Sequence, residues 1–179
     1  MTTGTDLLLD FVNTRDVRPA RDSFDSPAAL ATWLEGRGLL PAGARVTRAD
    51  LVLARDVREA IRQLLLAHND CGVEEAGPLA VLDDAAKRSR LAARFANGSV
   101  RLEPTAPGVS GAVGRILVCV ADAMTDGTWE RLKACRAEDC QWGYLDSAKN
   151  HSRAWCSMSS CGNRAKAHAY RERHGAAAI

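Results

Sequence analysis

Hydrophobic positions recur at helical spacing through most of the first three quarters of the chain. The clearest case is the segment TRADLVLARDVREAIRQLLLAHND, in which apolar side chains return every three or four residues. Thr47 and Asp50 have the spacing of a capping box, with Asp in place of the usual Glu or Gln. The pattern therefore predicts a long amphipathic helix that begins after Thr47 and forms the middle of the core.

Two shorter patterns near the start of the chain also predict helices. DLLLDFVNT is an apolar stretch that predicts a helix ending at Asn13. In SPAALATWLEGRG, Ser26 is placed as the N-cap and Pro27 occupies the first helical position. Gly36 or Gly38 then ends this second helix.

The pattern changes beyond the long helix. A further helix is predicted from Pro78 to about Arg90, and RLAARFANGSVRLEPTAPG then shows two partly alternating segments. Asn97-Gly98 between them is a preferred two-residue hairpin turn, and this is the only convincing strand pair. SGAVGRILVCVADAMTDG returns to a mostly apolar helix that Gly127 closes. These elements predict a mainly α fold with a small β hairpin, in the α+β class.

Composition places the chain among globular proteins. It has 179 residues, of which 46% are hydrophobic, so it can bury a real core and general disorder is excluded. No continuous apolar run reaches the ~18 to 20 residues that span a bilayer, and the acidic flanks of DLLLDFVNTRD are unlike a secretory signal. We therefore expect a cytoplasmic protein with no membrane contact, in which the six cysteines are reduced.

The net charge of +2 conceals an asymmetry between the two ends of the chain. Nine of the 24 Lys and Arg residues, but only four of the 22 Asp and Glu residues, lie from residue 131 onward. This end is therefore net positive and the remainder is net negative. The distribution predicts a near-neutral domain over residues 1–130 and a basic module over residues 131–179.

The spacing of four cysteines predicts a metal site in the basic module. They follow the pattern C-x4-C-x15-C-x4-C and are Cys135, Cys140, Cys156 and Cys161. Two such knuckles bring four thiolates to the corners of a tetrahedron, which is the geometry that zinc prefers. A catalytic zinc keeps one position open for water, whereas four thiolates fill every position, so the expected zinc is structural. Cys71 and Cys119 are expected to be small buried side chains.

The segment between the knuckles, QWGYLDSAKNHSRAW, carries few large apolar residues. This composition predicts that the metal forms its core, with Trp155 packed over the site. After the last cysteine, Gly162 is expected to allow a tight turn and Asn163 to cap a helix that runs through Arg173.

That terminal helix carries basic residues on two faces and only alanines for packing. Its positive charges should therefore be exposed and suited to phosphate groups. The alternatives are a merely solvated helix, or a helix with one face paired with N-terminal acids such as Glu74, Glu75, Asp83 and Asp84. The candidate nucleic-acid-binding residues are Lys149, Arg153, Arg164, Lys166, Arg171 and Arg173.

The N-terminal domain offers weaker signals. Four polar or aromatic residues are candidates for a ligand pocket, and they are Asn13, Arg15, Trp33 and His68. Each also has an ordinary structural role, such as a helix C-cap for Asn13 or a core position for Trp33. The sequence contains no phosphate loop, dinucleotide fingerprint, nucleophile elbow or zincin motif, which argues against an enzyme.

Two stretches resemble known families. WCSMSSCGNRAKAHAYRERH closely resembles the C-terminal zinc finger of the CGNR family, which is named after the tetrapeptide at residues 161–164. LLLDFVNTRD followed by LATWLEGRGLL is similar to the ABATE-type domain that accompanies this finger in bacterial stress-induced transcription regulators. The resemblance implies that the four cysteines bind zinc and that the finger binds DNA.

We therefore expect a helical ABATE-type domain that acts as a sensor or dimerisation unit. A small treble-clef-like or ribbon-like four-cysteine finger follows it and ends in the basic helix. The expected function is a zinc-finger, DNA-binding transcriptional regulator, with duplex DNA, a second copy of the chain and a small-molecule effector as partners. The alternative is a zinc-stabilised module that binds protein or RNA without specific DNA binding.

Overall fold

A computed structural model describes residues 3–96 and 98–175 of the chain. Within them, the helices are α1 (Gly4–Val12), α2 (Pro27–Glu35), α3 (Arg48–Ala67), α4 (Ala76–Ser89), α5 (Gly108–Asp126) and α6 (Asn163–Gly175). The strands are β1 (Arg15–Asp16), β2 (Arg21–Asp22), β3 (Leu91–Ala96), β4 (Ser99–Pro104), β5 (Leu132–Ala134) and β6 (Gly143–Leu145). The fold is mainly helical with small antiparallel hairpins, as the sequence predicts.

Side-chain caps determine where the N-terminal helices begin. Thr47 and Asp50 form the predicted capping box of α3, in which each side chain bonds the backbone N–H of the other residue. The Ser26 hydroxyl accepts a hydrogen bond from the N–H of Ala29 at the start of α2. Asn13 is the C-cap of α1 and Gly36 is the C-cap of α2, so the predicted limits of these helices are confirmed.

The core lies between α1, α3 and α5. Its fully buried side chains include Phe11 from α1, Ile61 from α3 and Ile116 from α5. Helix α5 has the length and apolar composition of a membrane span, but half of it is buried inside the protein as a core helix. Gly114 brings α5 close to the chain at Ser89, where an added Cβ would lie only 2.8 Å from the Ser89 Cβ.

The predicted hairpin is present, and two further strand pairs accompany it. β3 and β4 pair antiparallel from Leu91↔Pro104 to Ala96↔Ser99. Gly98 has φ +73° in the turn, while its predicted partner Asn97 lies outside the described residues. The expectation of a single strand pair was wrong, because β1 pairs with β2 and β5 pairs with β6. Strands of two or three residues are too short to show an alternating pattern.

Two arginines on the buried side of α3 organise the loop after α1. Arg58 is 2% exposed and makes a bidentate pair with Asp22, with nitrogen–oxygen distances of 2.6 and 2.7 Å. Arg62 is 1% exposed and donates to the carbonyl oxygens of Val12 at 2.5 Å and Gln141 at 2.8 Å. Arg62 therefore joins α3 to α1 and to the segment that follows Cys140.

The two isolated cysteines do not share the predicted burial. Cys119 on α5 is half-buried, with its Sγ beside Gly4, and burial raises the pKa of its thiol. Cys71 is exposed in the loop after α3, so the expectation of a buried side chain was wrong there. The chain has left the core at that point, since Asp70 and Gly72 on either side are also exposed.

Candidate metal centre and basic helix

Four cysteines from two chain segments converge at one point. Cys135 directly follows β5 and Cys140 precedes β6, while Cys156 and Cys161 flank the start of the terminal helical run. Their Sγ atoms all lie within 4.8 Å of one another. The Cys140–Cys156 and Cys156–Cys161 sulfur distances are 3.6 and 3.7 Å. A regular tetrahedron with zinc–sulfur bonds of about 2.3 Å requires sulfur separations of about 3.8 Å, so the cluster fits zinc.

Without a metal, hydrogen bonds and burial favour a thiolate at one of the cysteines and disfavour it at two others. A hydrogen bond from Cys140 and backbone N–H groups lower the pKa of Cys135 to about 5. The same bond, together with burial, raises the pKa of Cys140, and burial raises the pKa of Cys156 to about 11. A bound cation supplies the positive charge that lets all four groups be thiolates. Four sulfur ligands leave no open position for water, which is the coordination of a structural zinc.

Several side chains pack around the sulfurs. Tyr144 belongs to the same buried cluster, and Trp155 and Ala137 pack against it. The prediction for Trp155 is therefore confirmed. Arg164 donates to the Sγ of Cys161 at 3.4 Å and pairs with Asp139 at 3.1 Å. Arg164 therefore links the second cysteine pair, through Cys161, to the chain beside the first pair, through Asp139.

The terminal helix begins earlier than predicted. One wide helical turn, Met158–Gly162, runs directly into α6, and the Ser157 hydroxyl accepts from the N–H of Ser160 at its start. Asn163 therefore lies inside the helical run rather than at its cap. Gly162 is also helical rather than part of a tight turn. An added Cβ there would collide with the Met158 side chain, so the glycine lets Met158 and Trp155 pack against the backbone.

The C-terminal module (residues 131–175) docks on the N-terminal module (residues 3–130) through buried polar contacts. The Asn69 side-chain amide donates to the carbonyls of Ala134 at 2.8 Å and Ala154 at 2.9 Å. In the opposite direction, the Arg136 Nε donates a hydrogen bond to the backbone carbonyl of Asn69 at 2.6 Å. Leu132 and Ala134 of β5 are fully buried in the N-terminal core. β5, which precedes the first knuckle, therefore has a core contact that does not depend on the metal, whereas Tyr144 and Trp155 of the segment between the knuckles pack with the cysteines.

Asn69 offers a direct test of this docking. Replacing it with Ala removes the donor for two carbonyls and leaves them unpaired in the interface, so Asn69→Ala is expected to cost about 1–3 kcal/mol of stability. The exposed Asn150 is the matched control, and Asn150→Ala should change stability by less than about 0.5 kcal/mol. Urea unfolding of the zinc-loaded proteins measures both values. Equal stability of the two variants would show that Asn69 contributes nothing to docking.

The four candidate ligand residues serve different parts of the structure. The Asn13 amide exchanges two hydrogen bonds with the backbone of Gly143, at 2.9 and 2.7 Å. The His68 Nδ1 lies 2.8 Å from the Leu132 carbonyl oxygen. Asn13 and His68 therefore belong to the docking interface, which sequence spacing did not reveal.

The other two candidates lie elsewhere. Trp33 packs against Phe11 and Phe24, with ring centroids 5.8 and 5.4 Å apart. Arg15 pairs with Glu59 at 3.0 Å. In residues 3–96 and 98–175, the four candidates thus have separate partners and are not gathered around one cavity.

Most basic side chains of the C-terminal module are committed to internal contacts. Lys133 is buried and pairs with the fully buried Asp146 at 3.0 Å. Arg153 donates to the carbonyls of Trp155 and Cys156 and stacks over the Tyr144 ring. Arg153 and Arg164, both predicted to contact nucleic acid, thus use their donors within the module.

The remaining candidates are exposed. These four candidates make no ion pair within the part of the chain that the structure describes, and they are Lys149, Lys166, Arg171 and Arg173. The alternative pairing of the helix with N-terminal acids is not seen there, and Asp84 instead bonds Arg88 at 2.7 Å. On α6 itself, His168 faces Glu172 at 3.3 Å.

Comparisons with known proteins agree with this architecture. The family model described as "Putative stress-induced transcription regulator" (ABATE) matches residues 5–127, which is more than half of the chain. The CGNR zinc finger model matches residues 131–174 and contains all four clustered cysteines. Both descriptions name a regulator or a zinc finger rather than an enzyme. A search of curated proteins found no match. The chain therefore belongs to the ABATE family and carries a CGNR zinc finger whose four cysteines form a structural zinc site.

Proposed function

We propose that this protein regulates transcription in the cytoplasm by binding duplex DNA through helix α6 of its zinc finger. The observation that supports this most is the state of α6. Its side chains from Asn163 to His174 are exposed or half-buried, and it carries three cations that have no acidic partner in the described residues. An exposed cationic helix fixed at one end by a metal site is suited to phosphate contacts.

The orientation of α6 indicates which residues face the DNA. One side of the helix, with Ala165, His168 and Arg171, lines a groove of about 620 Å³ against Arg136 and Trp155. Residues three and four apart share a helix face, so the opposite face carries the residues Lys166, Tyr170 and Arg173. We assign this outward face to the major groove, whose width of about 12 Å accepts a helix. Lys149, exposed on the segment between the knuckles, is assigned to the phosphate backbone.

The two modules divide the work in this proposal. Residues 1–130 form the regulatory unit and residues 131–179 the DNA-binding unit, with the zinc-binding residues Cys135, Cys140, Cys156 and Cys161 in the second. The buried contacts of Asn69 and Arg62 join the modules and so connect the regulatory unit physically to the zinc finger. A small-molecule effector remains a prediction of the sequence.

Salt-dependent binding of duplex DNA tests the proposal. The affinity of zinc-loaded protein, measured by fluorescence anisotropy, should fall with a log-log slope of about −0.9 for each phosphate contacted. The double variant Lys166→Ala/Arg173→Ala is expected to bind about tenfold or more weakly, with a salt slope lower by about 2. Lys87→Ala/Arg88→Ala on α4 removes the same charge and should leave binding unchanged.

Two results would contradict the assignment. Absence of duplex binding at low salt by zinc-loaded protein would refute DNA binding by this chain. Equal weakening by the α4 control would show that net charge, and not α6, determines the affinity. Tighter binding of single-stranded RNA than of duplex DNA in the same assay would favour the RNA-interaction module instead.

A further inference from the structure

The β3–β4 hairpin has one face made entirely of apolar side chains. From its register, the residues on this face are Leu91, Ala93, Phe95, Val100, Leu102 and Pro104. At the base of the hairpin, Leu91 packs against the core. Towards the tip the same face is uncovered, since Phe95 is 83% exposed, Val100 60% and Leu102 41%. An isolated two-stranded hairpin with an uncovered apolar face is unfavourable in water, which indicates that another surface covers it.

The uncovered face continues into a groove beside β4. One wall is formed by residues 100–103 of β4 and the other by the α5 residues Val118, Ala121, Asp122 and Thr125, around a space of about 650 Å³. Among the described residues β4 pairs only with β3, so its second edge borders this groove with unpaired backbone groups. The groove therefore offers both backbone hydrogen bonds and apolar surface to an added strand.

We propose that this groove takes the β4 strand of a second copy of the chain, so that two hairpins join antiparallel into one four-stranded sheet across a two-fold axis. Self-pairing of one strand is an isologous contact, which closes at two copies. The second hairpin then lies beside Val118 and Ala121, so that α5 of each copy covers part of the apolar face of the other.

The charges on β4 select one register for this pairing. With the axis at Leu102, Arg101 of each copy lies opposite Glu103 of the other, which gives two reciprocal opposite-charge pairs. An axis at Arg101 or at Glu103 would instead place like charges together. A shift by one residue would put the apolar face of one strand beside the polar face of the other.

The outer edge of β3 is less suited than that of β4 to antiparallel pairing between two copies of the chain. Arg94 is its only charged residue, so no antiparallel pairing of β3 with itself brings opposite charges together. Of the two strands of this hairpin, only β4 carries charges of both signs, which is why we assign the interface to it.

The mass of the protein in solution tests the interface. Sedimentation equilibrium over a wide concentration range is expected to show a monomer–dimer equilibrium. Leu102→Lys should raise the dimer dissociation constant by about 100-fold or more. The two-fold axis places residue 102 of both copies side by side at the centre of the interface, so two lysines would meet there. Leu79→Lys is the matched control, because Leu79 on α4 is 40% exposed, close to the 41% of Leu102. A monomer at all concentrations, or equal effects of the two variants, would overturn the proposal.

A charge swap tests the register, and the circular dichroism of each variant checks the hairpin, because Glu103 also pairs with Arg94 at 3.5 Å within it. Arg101→Glu alone and Glu103→Arg alone should each weaken the dimer about tenfold, because both place like charges opposite each other. The double variant Arg101→Glu/Glu103→Arg should return close to the native dissociation constant. Failure of the double variant to recover, with its helical circular dichroism unchanged, would contradict the register centred on Leu102.

The dimer does not depend on the proposed DNA binding. The hairpin belongs to the N-terminal module, so Lys166→Ala/Arg173→Ala should dimerise like the native protein. Loss of DNA binding without loss of the dimer therefore distinguishes failure of one proposal from failure of the other.

Discussion

Removal of zinc is expected to unfold the end of the finger while the N-terminal helices stay folded. Metal binding to a four-cysteine site contributes on the order of 10 kcal/mol to the folding of the segments that it joins. Cys156, Cys161 and α6 have few other contacts, since α6 packs mainly on the turn that precedes it. The β5–β6 hairpin differs, because Leu132 is buried in the N-terminal core and Asn13 and Asn69 hydrogen-bond its backbone.

Hydrogen exchange with and without a zinc chelator measures this division. Amides of residues 157–175 should lose their protection, whereas those of β5 and β6 should keep most of it. Cys161→Ser is expected to give the same pattern in zinc, and Cys119→Ser, which changes a half-buried cysteine outside the cluster, should not. Retained protection in α6 after complete zinc removal would contradict the expected dependence on the metal.

Replacing Arg62 is expected to produce the largest loss of stability of any substitution outside the zinc site. The Arg62→Met variant loses the donor for the carbonyls of Val12 and Gln141 and leaves Glu59 without one of its partners. Breaking such a buried ionic network by removing one member costs about 3–5 kcal/mol. Burial lowers the pKa of Arg62, but its charge persists because an arginine side chain does not lose its proton in proteins.

Guanidinium denaturation of the zinc-loaded variant measures the cost. Arg88→Met is the matched control, because Arg88 makes an exposed pair with Asp84 four residues earlier in α4. That pair contributes only about 0.3–0.5 kcal/mol. A loss for Arg62→Met below about 1 kcal/mol would show that water or rearranged side chains satisfy the carbonyls without the arginine.

Arg62 also shows where sequence patterns stop being informative. The periodicity of α3 predicts the helix, its capping box and the apolar residues that face the core. It cannot show that Arg58 and Arg62 also face inward, because burial of an arginine depends on partners far away in the chain. Those partners are Asp22 in β2 and a carbonyl at residue 141, which lies 79 positions from Arg62.

The basic residues of the finger show the same limit. Counting charges predicts a positive module, and the prediction of zinc from the cysteine spacing is confirmed by the sulfur distances. Charge counting alone treats Lys133 and Arg153 like Lys166, although the first is buried against Asp146 and the second bonds backbone carbonyls. Only the three-dimensional arrangement separates structural cations from exposed ones.

The sequence by itself determined the features that depend on neighbouring residues or on fixed ligand spacing. These are the helices α1 to α5, the β3–β4 hairpin, the four-cysteine zinc site and the family. Tertiary structure alone decided how the two modules join, which cations remain exposed, and that the apolar face of the hairpin is uncovered. The physical reason is the separation along the chain of the residues that interact. Caps, turns and helical periodicity depend on residues within about one turn of helix of each other. The contacts of Asn13, Arg62 and Asn69 join residues 50 or more positions apart, and short-range patterns carry no information about them.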